Sequence, residues 1–208
     1  MSEQTMPHPS APESWGVIWP ADHGGPDFAP MIEALRVLND RLIAADVPPT
    51  LAAEMRGQFE RISAQLAAHR VPESLQVVGH LDAPGQGQTF VPVYAVDHCD
   101  ATSLRGRVTF GRHYLGRASA VHGGAITLLF DALLGHLANS SGTRPPSRTA
   151  YLNTSFRAIT PIETELHFEL DYTREEGRKR FAHGRLLHDT TLCSEFEGLS
   201  VQLNPGQR

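Results

Sequence analysis

The segment Gly123-Gly124-Ala125-Ile126-Thr127-Leu128-Leu129-Phe130-Asp131-Ala132-Leu133-Leu134-Gly135 constrains this chain more than any other. Its apolar residues fall on every side of a helical wheel, so a helix over Gly124 to Asn139 is expected to be buried all round. Asp131 is the only acid in it, and no Arg or Lys lies within the helix to pair with it. An ionised carboxylate in such surroundings costs several kcal/mol unless it is paired or reaches water. Backbone donors or a solvent-facing edge would satisfy it in the ordinary way. Costly acids also concentrate at active sites, and that reading is preferred here.

The helix entrance supplies a second element. Gly123 and Gly124 leave the first amides of the helix unobstructed by side chains. Orphan N–H groups and the positive end of the helix dipole form a place for an anion or a developing oxyanion. His122, just before, can orient that loop or donate to a substrate oxygen. Gly124 and Asp131 are seven residues apart, two turns or roughly 10 Å of rise. A carbonyl held at the entrance is therefore too far from Asp131 of its own chain for direct or single-water proton transfer. If both groups act on one substrate, the acid comes from a second copy of the helix lying antiparallel beside the first. A two-fold axis provides that arrangement and makes two equivalent sites.

The rest of the chain is read for what can surround such a helix. Residues 1–27 carry Pro7, Pro9, Pro12, Pro20 and Pro26 and form an extended leader, with Trp15 and Trp19 docking it as a strap. Residues 28–72 read as an antiparallel helical hairpin. Its first helix has the stripe Met31, Leu35, Leu38, Leu42 and its second Leu51, Met55, Phe59, Ile62, Leu66, with Pro48-Pro49 between. Residues 73–208 are a third region, dominated by strand patterns. Phe90–Val96 and Arg107–Phe110 precede the helix. Arg148–Ala158, Glu163–Thr173, Arg180–His188 and Leu192–Leu203 follow it, with a turn at Glu175-Glu176-Gly177. One helix among six strands makes an α+β domain, an antiparallel sheet packed around that helix.

Charge and composition exclude several classes of function. The formal net charge is -5, which argues against a general grip on nucleic acid. Cys99 and Cys193 are too few for a disulfide framework and fit a reducing compartment. No Lys or Arg precedes Arg36, so neither a secretory n-region nor an Arg-rich transit peptide is read, and a cytoplasmic protein without membrane insertion is expected. Ala118–Leu134 is too short and too polar to span a bilayer. Asp97-His98-Cys99-Asp100 has the residue types of a metal cluster. On a strand, though, 97 and 99 face away from 98 and 100, so no metal site is assigned.

Val121-His122-Gly123-Gly124-Ala125-Ile126 with Asp131 nine residues after His122 is similar to the signature of hot-dog-fold acyl-CoA thioesterases of the PaaI-like group. Arg148-Thr149-Ala150-Tyr151-Leu152-Asn153, Glu176-Gly177-Arg178-Lys179 and Thr191-Leu192-Cys193-Ser194-Glu195 resemble members of the thioesterase superfamily that act on medium and long acyl-CoAs. The resemblance covers roughly residues 78 to 205 and leaves out the leader and the helical extension. It implies a hot-dog fold and hydrolysis of acyl-CoA by a homodimer or a dimer of dimers, with no cofactor beyond the coenzyme A of the substrate. It implies that the Gly124 amide polarises the thioester carbonyl, with Gly123 beside it and His122 holding the loop. Asp131 of the opposite subunit would be base or nucleophile, and Thr149 would position the water. Ser155 and Arg178 match coenzyme contacts, and Arg157 and Lys179 match phosphate partners. Where the family has Arg-Pro, this chain has Arg157-Ala158-Ile159 with Pro161 later. A non-catalytic acyl-CoA binder shares the scaffold. Acyl-thioester hydratases do too, but their Asp-x-Asn-x-x-His signature does not occur here.

Overall fold

The structure is a computed structural model that describes residues 19–140 and 145–204. Trp15 with the rest of the leader up to residue 18, and part of the expected turn after the central helix, lie outside the described residues. The chain divides into two units, Met1–Gln88 and Thr89–Arg208.

In the first unit the amphipathic patterns become α1 (Phe28–Ala44) and α2 (Pro49–Ala67), separated where Pro48 and Pro49 stop one helix and start the next. They do not form the expected antiparallel hairpin: no run of close backbone approaches joins them, and α2 buries none of its residues. The face that α1 buries is also different. Ile32 and Arg36 are covered, while Met31, Leu35 and Leu42 stand exposed. The cause is Arg36, whose guanidinium donates to the carbonyls of Pro84 and Gln88 and to Glu33. A side chain that closes an 84–88 turn by hydrogen bonds turns its own helix face inward, whatever the apolar stripe prefers. Trp19 is buried, as a strap residue should be. It bridges in parallel to Leu81, with its amide on the His80 carbonyl at 2.6 Å.

The second unit is one antiparallel sheet with a helix on one face. Its strands are β1 (Tyr94–Cys99), β2 (Ser103–Thr109), β3 (Ser147–Phe156), β4 (Glu165–Glu176), β5 (Lys179–His188) and β6 (Thr191–Gln202). The central helix α3 spans Gly123–Asn139 between β2 and β3. The order across the sheet is β1-β2-β4-β5-β6-β3, which leaves β3 on one edge. Period-two alternation puts Leu166, Phe168 and Leu170 of β4 and Ala182, Gly184 and Leu186 of β5 on the helix side. Gly184 is required there, since a Cβ would lie 2.1 Å from the ring of Phe196. Phe130, Leu133, Leu134 and Phe196 complete the core under α3.

The helix is not buried all round within one chain. Ala125, Ile126, Leu129, Phe130, Leu133, Leu134 and Leu137 are enclosed. Gly124 and Asp131 are exposed, and Leu128 and Gly135 beside them on the wheel are only half-buried. These four fall within about a sixth of the wheel, one stripe that the sheet leaves open. Among the described residues no helix is long and apolar enough to cross a membrane.

Candidate active site

The entrance of α3 is held from both sides. The Val121 amide donates to the Thr160 carbonyl at 2.9 Å, and that of His122 donates to the Tyr114 carbonyl at 2.8 Å. His122 is extended and caps the helix: its Nδ1 accepts the Gly124 N–H at 3.0 Å. Nδ1 is then unprotonated, so a neutral ring carries its proton on Nε2. The amide that the family resemblance gives to the thioester carbonyl is therefore engaged by the His122 side chain. Gly123 is glycine for a packing reason, because a Cβ would lie 2.9 Å from the Phe156 ring. Phe156 brings the end of β3 against the helix entrance.

Asp131 stands two turns further along the same open stripe, exposed to solvent in the single chain. The expected stranded carboxylate is thus not buried by its own chain. The stripe faces outward, and roughly 10 Å of helix separates Asp131 from Gly124. Thr149 pairs across the ladder with buried Ser200, which puts it on the sheet face that carries α3. Thr127 was not singled out in the sequence. Its hydroxyl bonds to the Gly123 carbonyl at 3.1 Å and to the Thr154 hydroxyl at 3.2 Å, tying α3 to β3 beside the open stripe. The signal was present: a hydroxyl four residues after the first helical glycine in an otherwise apolar run.

The residues matched to coenzyme contacts lie elsewhere. Ser155 pairs with Glu195 and faces away from α3. Arg157 is held by Glu195 at 2.6 Å. That guanidinium keeps the Glu195 carboxyl below the usual carboxylate range, with His183 at 3.4 Å adding to the effect. Arg178 donates to the Gln202 carbonyl at 2.8 Å, and Lys179 opens β5 after the Gly177 turn. Thus Gly124 and Asp131 share one helix face, His122 caps the entrance beside it, Gly123 turns toward Phe156 and Thr149 lies on the strand face that carries α3, while Ser155 and Arg157 occupy the other side of the sheet. At the other sheet edge Asp97 pairs with Arg107 at 3.1 Å, and Asp100 accepts the amides of Thr102 and Ser103. No group of three or more His, Cys, Asp or Glu is placed to hold a metal ion among the described residues.

An antiparallel six-stranded sheet curled over one glycine-started helix is a hot-dog fold of the α+β class. A crystal structure of a thioesterase superfamily protein superposes with a TM-score of 0.70 at 24% identity, covering 84% of this chain and 94% of that one. In sequence the chain is similar to the acyl-coenzyme A thioesterase THEM4 of Mus musculus, 31% identical over 97 residues. That stretch is 46% of this chain and 41% of the mouse protein, so well under two thirds of the relative is matched. Thioesterase superfamily member 2, also from Mus musculus, aligns at 14% identity over 53% of this chain and 82% of its own, with a TM-score of 0.47. No family model matches the chain.

Proposed function

We propose that the chain is an acyl-CoA thioesterase that works as a homodimer, releasing free acid and coenzyme A. One observation carries the proposal: the glycine entrance of α3 and Asp131 lie on the same uncovered stripe, two turns apart. Within one chain they cannot reach one carbonyl. Against a second α3 running antiparallel, Gly124 of one helix comes opposite Asp131 of the other, and the open stripe is covered. The unpaired edge of β3 adjoins that stripe through Thr127 and Thr154, and it exposes the large apolar side chains Tyr151 and Phe156. A two-fold pairing of β3 edges would continue the sheet and remove an edge that proteins otherwise protect.

In that arrangement the thioester oxygen accepts from the Gly124 amide, displacing His122 Nδ1, and the Nε2–H of His122 is a further donor nearby. Asp131 of the facing subunit takes a proton from water as it attacks the carbonyl carbon, and the thiolate of coenzyme A leaves. Thr149 is a candidate to orient that water from the strand side. The mouse thioesterase of similar sequence supports the choice of substrate class. A cytoplasmic setting fits the cysteine usage, with both thiols free.

The test is thiol release from a panel of acyl-CoAs. Asp131→Asn should lower turnover at least about 100-fold, the scale of a lost general base, with the dimer intact by sedimentation. Gly124→Pro removes the amide donor at a position in the first turn where proline is tolerated. If sites are shared, mixing the two inactive variants restores about a quarter of wild-type activity, since half the dimers regain one of two sites. No recovery on mixing, with dimers demonstrably exchanged, would put both groups in one chain and overturn the proposal.

A further inference from the structure

The sheet face that carries α3 is apolar along most of its length, with Leu166, Phe168 and Leu170 on β4, Leu186 on β5 and Phe196 on β6. One corner is not. At the end of the sheet where β3 and β5 begin, Ser147, Arg180 and Ser200 are buried, and Tyr172 of β4 packs against the same core. The Arg180 side chain is only 6% exposed. Its single hydrogen bond among the described residues is a long one, from Nη1 to the Ser147 hydroxyl at 3.5 Å. Glu175 lies 3.8 Å from Nε, near enough to balance charge and too far to bond, and its side chain is 42% exposed. The Tyr172 hydroxyl, Arg180 Nε and the Ser200 hydroxyl are all buried without a hydrogen-bond partner. Ser200 stands opposite Arg180 in the ladder, and the Tyr172 ring centre is 5.9 Å from the guanidinium.

A buried donor without a partner costs stability, a charged one most of all. Three such groups around one guanidinium call for an acceptor that the chain does not supply. A carboxylate suits them: its two oxygens match the guanidinium fork and leave lone pairs for both hydroxyls. The corner also connects to the proposed reaction centre. Thr149, Ser200 and Arg180 form one row across β3, β6 and β5, so Arg180 stands about 10 Å from Thr149, two strand spacings away. Thr149 is exposed at the outer end of that row, and only the small Ser200 side chain separates it from Arg180. An acyl chain whose carbonyl lies beside Thr149 and that follows the row meets a positive charge. A plain hydrocarbon end would desolvate that charge and return nothing. We propose, resting on the hydrolase reading above, that the acyl group this chain cleaves ends in a second carboxylate, received by Arg180 with the hydroxyls of Tyr172 and Ser200. Glu175, already partly in water, gives up its place beside the guanidinium to the substrate acid.

Substrates paired by length test this: adipoyl-CoA against hexanoyl-CoA, and suberoyl-CoA against octanoyl-CoA. The full chain should favour the acid-ended member in kcat/KM by about 10- to 100-fold, the worth of a charge-assisted hydrogen bond. Arg180→Met keeps an unbranched side chain, and an apolar replacement of a buried ion is tolerated in folding. It should raise KM for adipoyl-CoA about 10- to 100-fold and lower KM for hexanoyl-CoA, changes of opposite sign that a damaged fold does not produce. Glu175→Gln removes the competing carboxylate and should lower KM for adipoyl-CoA. No preference within either pair would leave water as the partner of these donors and overturn the inference, with hydrolysis itself intact. KM rising for both substrates in Arg180→Met would make Arg180 structural and overturn it as well. If no thioester is cleaved, the hydrolase reading falls, and calorimetry with adipoyl-CoA decides the rest. Binding that is lost in Arg180→Met would keep the carboxylate site; absent binding, or binding equal in both proteins, would remove it.

Discussion

Helices α2 and α3 are nearly equal in length, 19 and 17 residues, and each has a clear apolar stripe, yet their fates differ completely. α3 encloses eight residues and α2 none. The difference lies in the remaining surface of each helix. Around its stripe α2 carries Glu54, Arg56, Glu60 and Arg61, a face that is at home in water and only needs cover on one side. In α3 the remaining surface is also mostly apolar, broken only singly by Thr127, Asp131, His136 and Asn139, so a sheet has to curl round it. Amphipathicity states which face wants cover; only a helix without a polar face dictates the architecture that covers it.

The largest expected effect tests that contrast inside the core. Phe130 is fully enclosed between α3 and β6, with its ring 4.7 Å from that of Phe196. Phe130→Ala should cost about 3–5 kcal/mol, from lost transfer free energy plus the cavity left behind. A shift of the urea midpoint at unchanged slope reads this directly. A cost under about 1 kcal/mol would mean the sheet collapses freely onto a smaller helix, and that α3 does not organise the unit.

The same contrast explains what could be read from the sequence. The four strands after α3, and α3 itself, were legible because period-two alternation and a nearly all-apolar helix leave few alternatives, whereas Phe90–Val96 and Arg107–Phe110 only overlap the observed β1 (Tyr94–Cys99) and β2 (Ser103–Thr109). The role of Gly123 and Gly124 was legible as a helix entrance, but the Phe156 ring against Gly123 was not, since it depends on where β3 ends. Asp131 was legible as anomalous and misread as buried, because a wheel cannot say which face the chain itself leaves open. Arg36 shows the opposite failure. A charged residue in an amphipathic helix reads as solvated, and here its hydrogen bonds to Pro84 and Gln88 decide which face of α1 turns in. Hydrogen bonds between residues 48 and 52 positions apart have no periodic signature.

A smaller effect separates α3 from α2 by pH. His136, near the C-terminal end of α3, is half-buried and bonds to the Tyr94 hydroxyl at 3.0 Å. Burial lowers its pKa, and burial also pushes the Tyr94 hydroxyl up to about 12, so both are neutral near pH 7. A histidine with a depressed folded pKa binds fewer protons folded than unfolded. Stability is therefore lost as pH falls through the unfolded value of about 6.5 and on towards the folded one, at no more than about 1.4 kcal/mol per pH unit. His136→Gln removes the titration and keeps a hydrogen-bonding group. Urea midpoints of wild type should fall faster than those of the variant between pH 7 and pH 5. Parallel curves would mean that His136 is solvated in both states.

The smallest expected effect breaks the comparison most directly. Phe59 is the largest member of the α2 stripe and stands 38% exposed, beside Ile62 at 53% and Leu66 at 59%. Phe59→Ala removes as many atoms as Phe130→Ala, but from a side chain that already keeps more than a third of its surface in water. Alanine also raises the helix propensity of that position by up to about 0.7 kcal/mol. The two terms oppose, and the change in stability should stay within about 0.5 kcal/mol of zero. A loss approaching that of Phe130→Ala would show that the α2 stripe is covered in solution. The absence of a buried face on α2 would then belong to the isolated chain rather than to the protein, and the contrast between the two helices would rest on assembly instead of on their polar faces.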